Sequence, residues 1–199
     1  ENPPSEASLR YPVFVKPARS GSSFGVSRVD SASDLLEAIV SARQYDDKIL
    51  IEQAVSGCEV GCAVMGSGRE LFIGEIDQIT LRSGFFRIHQ EAAPENGSEN
   101  AVISVPAELP ASERRRIGET AKRIYTALGC EGLARVDMFL REDGVILLGE
   151  VNTMPGFTSY SRFPRMLRAA GVPLPDVIDR LITAATRRRG DAAPASGEL

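Results

Sequence analysis

Histidine is nearly missing from this chain: there is one, His89, in 199 residues. Cysteine is scarce as well. The three present (Cys58, Cys62 and Cys130) are an odd number without CxxC spacing. Together these shortages exclude the usual zinc sets of imidazole and thiolate. The cysteines read as reduced thiols of a cytoplasmic protein rather than as a disulfide framework. No apolar run approaches the roughly 18 residues that a membrane helix needs, and no stretch has the layout of a signal peptide. Positive charge is not in excess either. With 23 Lys and Arg against 27 Asp and Glu, the formal net charge is −4. That argues against nucleic acid as a main partner, while leaving room for a local basic patch that holds phosphates.

What is present is enough to fold. The chain is 43% hydrophobic and 25% charged, a globular composition, and its length suits one good core or two small domains. It begins ENPPSEASLR with no methionine, so residues 1–10 read as a linker that followed upstream sequence. The tail TRRRGDAAPASGEL ends in a stretch, residues 188–199, with the composition of a disordered segment.

Between these ends the pattern alternates. YPVFVKP reads as a strand stopped by Pro17, and VSRVD as a second strand. DLLEAIVSARQY, Asp34 to Tyr45, has helical spacing with Ser33 as N-cap. KILIEQAV, EVGCAVMG and ELFIGEIDQI read as three strands. Ser112 to Leu128 is an amphipathic helix with Ile117, Ala121, Ile124, Tyr125 and Leu128 on one face and Gly129 closing it. ARVDMFL and VILLGEVN are strands joined by REDG. Helices near Pro164–Ala170 and Pro175–Arg187 follow. The expected class is α+β with a largely antiparallel sheet. Thr80 to Ala101 stands apart as a long polar, glycine-spotted segment with little periodicity, the kind of loop that serves as a lid. His89 lies in it.

The strongest local inference comes from the ARVDMFL/VILLGEVN pair. Asp143-Gly144 is a favoured two-residue hairpin turn. That turn sets Glu142 opposite Val145, Asp137 opposite Glu150, and Arg135 opposite Asn152. Side chains two apart share a face, so all four of Arg135, Asp137, Glu150 and Asn152 point one way. Two facing carboxylates repel unless a cation lies between them. Two acids and an amide, all oxygen donors, suit Mg²⁺, and Arg135 beside them suits a phosphate or developing oxyanion. The alternative is a solvated polar face with a surface ion pair.

Two further stretches suit a nucleotide. Lys16 ends a strand, and Gly21-Ser22-Ser23-Phe24-Gly25 follows, offering backbone amides and hydroxyls to phosphate oxygens. The loop lacks GK[ST] and leads into a strand, so neither the P-loop nor the dinucleotide-binding context is met. The apolar strand ending Glu52-Gln53-Ala54-Val55 can present polar groups to an adenine edge, with Glu59 beyond it for ribose hydroxyls. Each stretch alone reads as well as an ordinary hairpin or strand end.

Taken in order, VKPARSGSSFG, LIEQAVSGCEVG, LARVDMF and LLGEVNTMPGFTSYSR resemble the ATP-grasp core of the D-alanine–D-alanine ligase family, over Tyr11 to about Arg187. The resemblance implies an ATP-grasp fold of two α/β subdomains with largely antiparallel sheets clasping ATP. These are a small one at residues 11–66 and a larger one at 67–187 that carries a substrate lid at 80–101. It implies that Lys16, Ser22 and Ser23 hold ATP phosphates, that Glu52, Gln53 and Val55 line the adenine pocket, and that Glu59 binds ribose. Asp137, Glu150 and Asn152 would bind two Mg²⁺ ions, with Mn²⁺ an acceptable substitute. Arg135, the Gly156 amide and Ser161 would hold the acyl phosphate and the substrate carboxylate. The implied chemistry activates the carboxylate of D-alanine as an acyl phosphate, which a second D-configured substrate then attacks. The family also has an N-terminal domain that helps bind the first D-alanine and a homodimeric full-length form. Without that domain the chain would hold ATP and Mg²⁺ yet turn over poorly or not at all, and an inactive ATP-binding fragment is the further alternative.

Two departures from the family pattern stand out. The Lys-Tyr pair usual in the lid is Ile88-His89 here, with Arg87 the nearest replacement cation. The adenine strand, often ending Glu-Lys, ends Glu52-Gln53. The lid GFFRIHQEAAPENGSENAV instead resembles the D-alanine–D-lactate ligases of vancomycin resistance. A protonated imidazole attracts the lactate carboxylate and repels the ammonium of D-alanine. On this reading His89 selects a hydroxy acid over an amino acid, and D-alanine with D-alanine or D-serine is the other expectation.

Overall fold

In the computed structural model, residues 9–21, 23–68, 70–81 and 101–191 are described. Alternating valines build the first sheet: β1 (Val13–Pro17) lies between β2 (Ser27–Val29) and β3 (Ile49–Gln53), antiparallel to both. Val13, Val15 and Val29 turn to one side, where α1 (Leu35–Ala42) covers them with Leu35, Ala38 and Ala42. The cap expected at Ser33 is not there. A 3-10 turn, Ala32–Asp34, precedes α1, and the Ser33 hydroxyl donates to the Asp34 carboxylate instead of capping the helix.

The second sheet has six strands. β4 (Gly57–Ser67) runs through its centre, with β8 (Gly132–Arg141) along one edge and β9 (Ile146–Asn152) beyond it. On its other edge β4 pairs with β5 (Glu70–Ile73) near Ser67 and with β6 (Asp77–Leu81) near Glu59, and β6 carries β7 (Ala101–Ser104). All pairings are antiparallel. The sheets therefore divide between Gln53 and Gly57, and β4 belongs wholly to the second, where the sequence reading carried the first unit on to residue 66. ELFIGEIDQI is two strands, not one. A side chain at Gly74 would meet Met166 backbone atoms at 2.9 and 3.0 Å, and Glu75 N–H donates to the Met166 carbonyl, so the ladder along β4 is interrupted after the Gly74 N–H to Ala63 carbonyl bond, where a helix packs against it.

Alternation splits the faces of the six-stranded sheet. Val60, Cys62 and Val64 of β4 with Ala134, Val136 and Met138 of β8 point to α2 (Ala111–Ala127), which returns Ile117, Ala121 and Tyr125. α2 closes as expected at Gly129 (φ +65°), with Gly129 N–H donating to the Thr126 carbonyl and Cys130 N–H to that of Tyr125. Leu128, expected on the buried face, is exposed. It lies past the last helical turn, where the chain has already begun to unwind. The other face carries Ala63 and Met65 under α3 (Arg162–Ala169) and α4 (Leu174–Asp191), joined by Phe163, Met166, Leu167 and Val177. The class is α+β, as expected. No helix among the described residues is long and apolar enough to cross a membrane.

Leu81 and Ala101 are register partners in β6 and β7. The ends of the expected lid, Thr80, Leu81 and Ala101, are thus strand residues. His89, Arg87 and the rest of residues 82–100 lie outside the described residues.

Candidate functional site

The hairpin of β8 and β9 is where local sequence becomes site geometry. Its turn differs from the expected one. Arg141 pairs with Val145, and Glu142-Asp143-Gly144 forms a three-residue loop with Gly144 left-handed (φ +80°), a turn closed by a glycine bulge. This shifts the register by one at the turn. A second irregularity falls between Asp137 and Met138, where Gly149 on β9 has no partner and the register shifts back. A side chain at Gly149 would lie 3.1 Å from the Asp137 carbonyl oxygen and from the Phe139 ring. The two shifts cancel. Asp137 faces Glu150 and Arg135 faces Asn152, as the simpler turn had implied.

The row continues across the sheet. Gly61 of β4 pairs with Asp137 of β8 on one side and with Asp77 of β6 on the other. Register partners share a face, so one row across four strands reads Asp77, Gly61, Asp137, Glu150. Strands lie about 4.8 Å apart, so a missing side chain at Gly61 leaves a gap between two carboxylates. The guanidinium of Arg162, the first residue of α3, fills it. Its Nε donates to Asp77 Oδ2 at 2.7 Å and its Nη2 to Asp77 Oδ1 at 2.9 Å, while Nη1 reaches Glu59 Oε1 at 3.2 Å and Nη2 lies 3.3 Å from Asp137 Oδ1. A Cβ at Gly61 would stand 2.5 Å from Nη2 and 2.6 Å from Asp77 Oδ1.

Burial alone would lower the pKa of Arg162, but Asp137, Asp77 and Glu59 outweigh it and hold the group firmly protonated. Glu59 is pushed up to about 7, first by burial and then by the nearby carboxylates of Asp137 and Asp77, with Arg162 opposing. Arg135 grips Asp137 from the other side, Nε to both oxygens at 2.9 Å and Nη2 to Oδ2 at 2.8 Å. Asp137 is buried, Glu150 exposed and Asn152 half-buried. The Asn152 amide oxygen accepts from Met154 N–H at 3.2 Å.

The loop after β9 brings two more expected residues together. A side chain at Gly156 would meet Ser161 Oγ at 2.7 Å, and Ser161 Oγ also lies 2.6 Å from Thr158 Oγ1. Ser161 is the N-cap residue of α3 and adjoins Arg162.

In the first sheet, Lys16 Nζ lies 2.7 Å from Glu52 Oε2. Lys16 pairs with Leu50 and Phe14 with Glu52, so the two charged groups meet diagonally on one face. Gln53 ends β3 exposed, and Val55 is half-buried just beyond. Ser23 is the one described residue other than glycine with a left-handed backbone (φ 58°), an uncommon conformation concentrated at ligand loops. Ser22 lies outside the described residues. Glu59 does not sit with Glu52 and Gln53 on β3. It is on β4 and joins the Arg162 cluster.

Sequence reading missed Asp77 and Arg162. Asp77 shares its face with Ile79, and both are buried, so an acid at an inward position of EIDQI was the available signal that a buried cation must face it. Nothing local marks Arg162 as that cation. Among the described residues no group of three or more His, Cys, Asp or Glu is arranged to hold a metal. Two carboxylates and a carboxamide on a hairpin are, however, a donor set that suits Mg²⁺, which takes few protein ligands.

Two antiparallel sheets with helices α1 to α4, one sheet carrying a row of acids beside a gripping arginine, have the α+β architecture of the C-terminal portion of an ATP-grasp ligase. Residues 3–183 match the family model described as the D-ala D-ala ligase C-terminus, and the chain belongs to that family. It is 70% identical over 92% of its length to the vancomycin/teicoplanin A-type resistance protein VanA of Enterococcus faecium, covering 54% of that protein. It is 63% identical to a putative D-alanine–D-lactate ligase of Streptomyces coelicolor over 89% of its length, 51% of the relative. Against a D-alanine–D-alanine ligase of Frankia casuarinae the identity is 43% over 90% of the chain and 47% of the relative. The solved VanG D-Ala:D-Ser ligase from Enterococcus faecalis superposes with a TM-score of 0.80 at 44% identity, over 90% of this chain and 51% of that one. The chain thus spans about half the length of the relatives it matches.

Proposed function

We propose that this chain is the ATP-clasping half of a ligase that joins D-alanine to D-lactate, the depsipeptide of glycopeptide-resistant cell-wall precursors. The observation that carries the reading is the graded identity, 63% to a putative D-alanine–D-lactate ligase against 43% to a D-alanine–D-alanine ligase. The acid row supports the chemistry. D-Alanine with D-alanine or D-serine is the second reading, favoured by the likeness to the VanG ligase.

In this mechanism the D-alanine carboxylate oxygen attacks the γ-phosphorus of ATP. The P–O bond to ADP breaks, and D-alanyl phosphate forms. The D-lactate hydroxyl then attacks the acyl carbon and gives its proton to the departing phosphate as the acyl C–O bond to phosphate breaks, leaving an ester. A carboxylate is already a nucleophile, so the first step needs no general base. Lys16, Ser22 and Ser23 hold phosphate oxygens, Glu52, Gln53 and Val55 the adenine, and Glu59 the ribose. Asp137, Glu150 and Asn152 hold two Mg²⁺ ions, for which Mn²⁺ can substitute. The metal supplies neutralisation of phosphate charge. Arg135, the Gly156 amide and Ser161 stabilise charge on phosphate and carbonyl oxygens. On binding, Arg135 and Lys16 must each share or give up a carboxylate partner, Asp137 and Glu52, for phosphate. A cytoplasmic setting supplies ATP and Mg²⁺, and the full-length protein is read as a homodimer that binds small molecules only.

Product identification with D-alanine, D-lactate and D-serine in competition tests the assignment on the full-length protein. Depsipeptide as the main product at neutral pH is expected, and dipeptide alone would remove the lactate reading. His89, whose imidazole can carry a proton near neutral pH, is proposed to repel the ammonium of a competing amino acid. The ester-to-dipeptide ratio then falls as pH rises from 6 to 9, and falls less steeply in His89→Ala, where only the ammonium of the competing amino acid still loses its proton. A variant ratio that follows the parent's would remove the role.

A further inference from the structure

We propose that Arg162 is a positioning residue for the ligation, aiming the Asp137 carboxylate at the metal and Glu59 at the nucleotide from a fixed anchor, Asp77. The inference rests on the proposed function and adds to it a residue pair that the expected site did not contain.

The carboxylates differ in what each can reach. Asp77 is fully buried, and both of its oxygens are taken by Arg162. It is too deep to touch a ligand, so its part is to hold the guanidinium. A guanidinium is a planar fork whose donors have fixed directions. Once Nε and one edge of Nη2 are spent on Asp77, the remaining donors can point only outward along the same face. Nη1 donates to Glu59 Oε1 at 3.2 Å, and Nη2 lies at ion-pair distance, 3.3 Å, from Asp137 Oδ1, the oxygen that Arg135 Nε holds at 2.9 Å from the other side. The plane itself rests over Gly61, the one position in the row with no side chain, and a Cβ there would displace it. Arg162 is thus located from three sides before any ligand arrives.

Charge explains why a carboxylate anchor is needed. A lone guanidinium beside a metal ligand would repel a dication. Paired with Asp77, Arg162 contributes direction while adding little net charge, and Asp137 and Glu150 keep their negative charge for the metal. The same residue fixes the start of α3, and so the adjoining Ser161, against the strand that carries Asp137. One side chain thereby ties the expected ribose acceptor Glu59, the metal carboxylate Asp137 and the substrate-binding Ser161 to a common frame.

The test compares this chain with Asp77→Asn, Arg162→Lys and the double variant Asp77→Asn/Arg162→Gln. ATP binding is titrated calorimetrically as a function of Mg²⁺, and the folded fraction is measured separately by thermal melting. Asp77→Asn removes the anchor and one negative charge, leaving Arg162 to pair with Glu59 and the metal carboxylate Asp137, and the Mg²⁺ concentration for half-maximal ATP binding rises about tenfold or more. Arg162→Lys keeps the charge but cannot span three carboxylates, and the same midpoint rises severalfold. The double variant removes both charges and recovers part of the loss seen in Asp77→Asn. Variants that melt earlier yet keep the parent's Mg²⁺ midpoint in their folded fraction would show a structural role only and overturn the proposal. A parent chain that binds ATP with no Mg²⁺ dependence overturns the proposed function and this inference together, whereas a Mg²⁺-dependent parent with unaffected variants overturns this inference alone.

Discussion

Gly61→Ala is the smallest change that probes the charged row, and its cost follows from the atoms around that glycine. The new methyl would lie 2.5 Å from Arg162 Nη2, 2.6 Å from Asp77 Oδ1 and 3.0 Å from Asp137 Oδ1. Ordinary contact needs about 3.4 Å or more, so Nη2 and Oδ1 must each retreat by close to 1 Å. Neither is a free end, because they hydrogen-bond to each other at 2.9 Å and Asp77 is fully buried. Forcing a methyl into a packed site costs about 1–3 kcal/mol, and stretching a charge-assisted buried hydrogen bond forfeits part of roughly 1.5–3 kcal/mol. Alanine returns about 0.4–1 kcal/mol by restricting the unfolded chain. The net is a loss of about 2–4 kcal/mol, which for a chain of this size lowers Tm by roughly 5–15 °C. Thermal melting followed by circular dichroism reads it. Gly21→Ala is the control, since a methyl there meets nothing within 4 Å. A Gly61→Ala protein that melts within a degree or two of the parent would refute the claim that the guanidinium is seated on that glycine.

Two other outcomes follow from the same geometry. Burial raises Glu59 from an ordinary carboxylate value to about 7, so the folded chain binds an extra proton between about 4.5 and 7. Stability from this group therefore falls as pH rises through that window and is level above it, by at most roughly 3 kcal/mol; Glu59→Gln, melted beside the parent from pH 4.5 to 8, should lose this component, and parallel profiles would contradict it. Tyr125, buried under the sheet, donates its hydroxyl to the Gly66 carbonyl at 2.9 Å; Tyr125→Phe should cost about 1 kcal/mol and a few degrees in Tm, and an unchanged Tm would show that hydrogen bond to be dispensable.

The hairpin shows how far local reasoning carries and where it succeeds for incomplete reasons. Asp-Gly marked the turn correctly, but Gly144 closes a three-residue loop rather than a two-residue one. The pairing of Asp137 with Glu150 survived because Gly149 bulges and restores the register. A glycine inside a strand is a signal of that kind, and it stood in LLGEVN. Gly74 likewise split one expected strand into β5 and β6, and its cause, the backbone of Met166, is remote in sequence.

The sequence by itself determined the elements whose partners are near: the faces of β8 and α2, the closing motif at Gly129, the β8–β9 pairing, and the ordered motifs that mark the family. Those depend on alternation, helical period and turn chemistry, which act over a few residues. Only the tertiary structure decided that Asp77, Gly61, Asp137 and Glu150 form one row, and that Arg162 lies across it from 85 residues beyond Asp77 and 103 beyond Glu59. Registers of three strand pairs and the docking of α3 must all be set before those groups meet. A buried acid shows in sequence that it needs a cation, but which arginine reaches it is settled by packing.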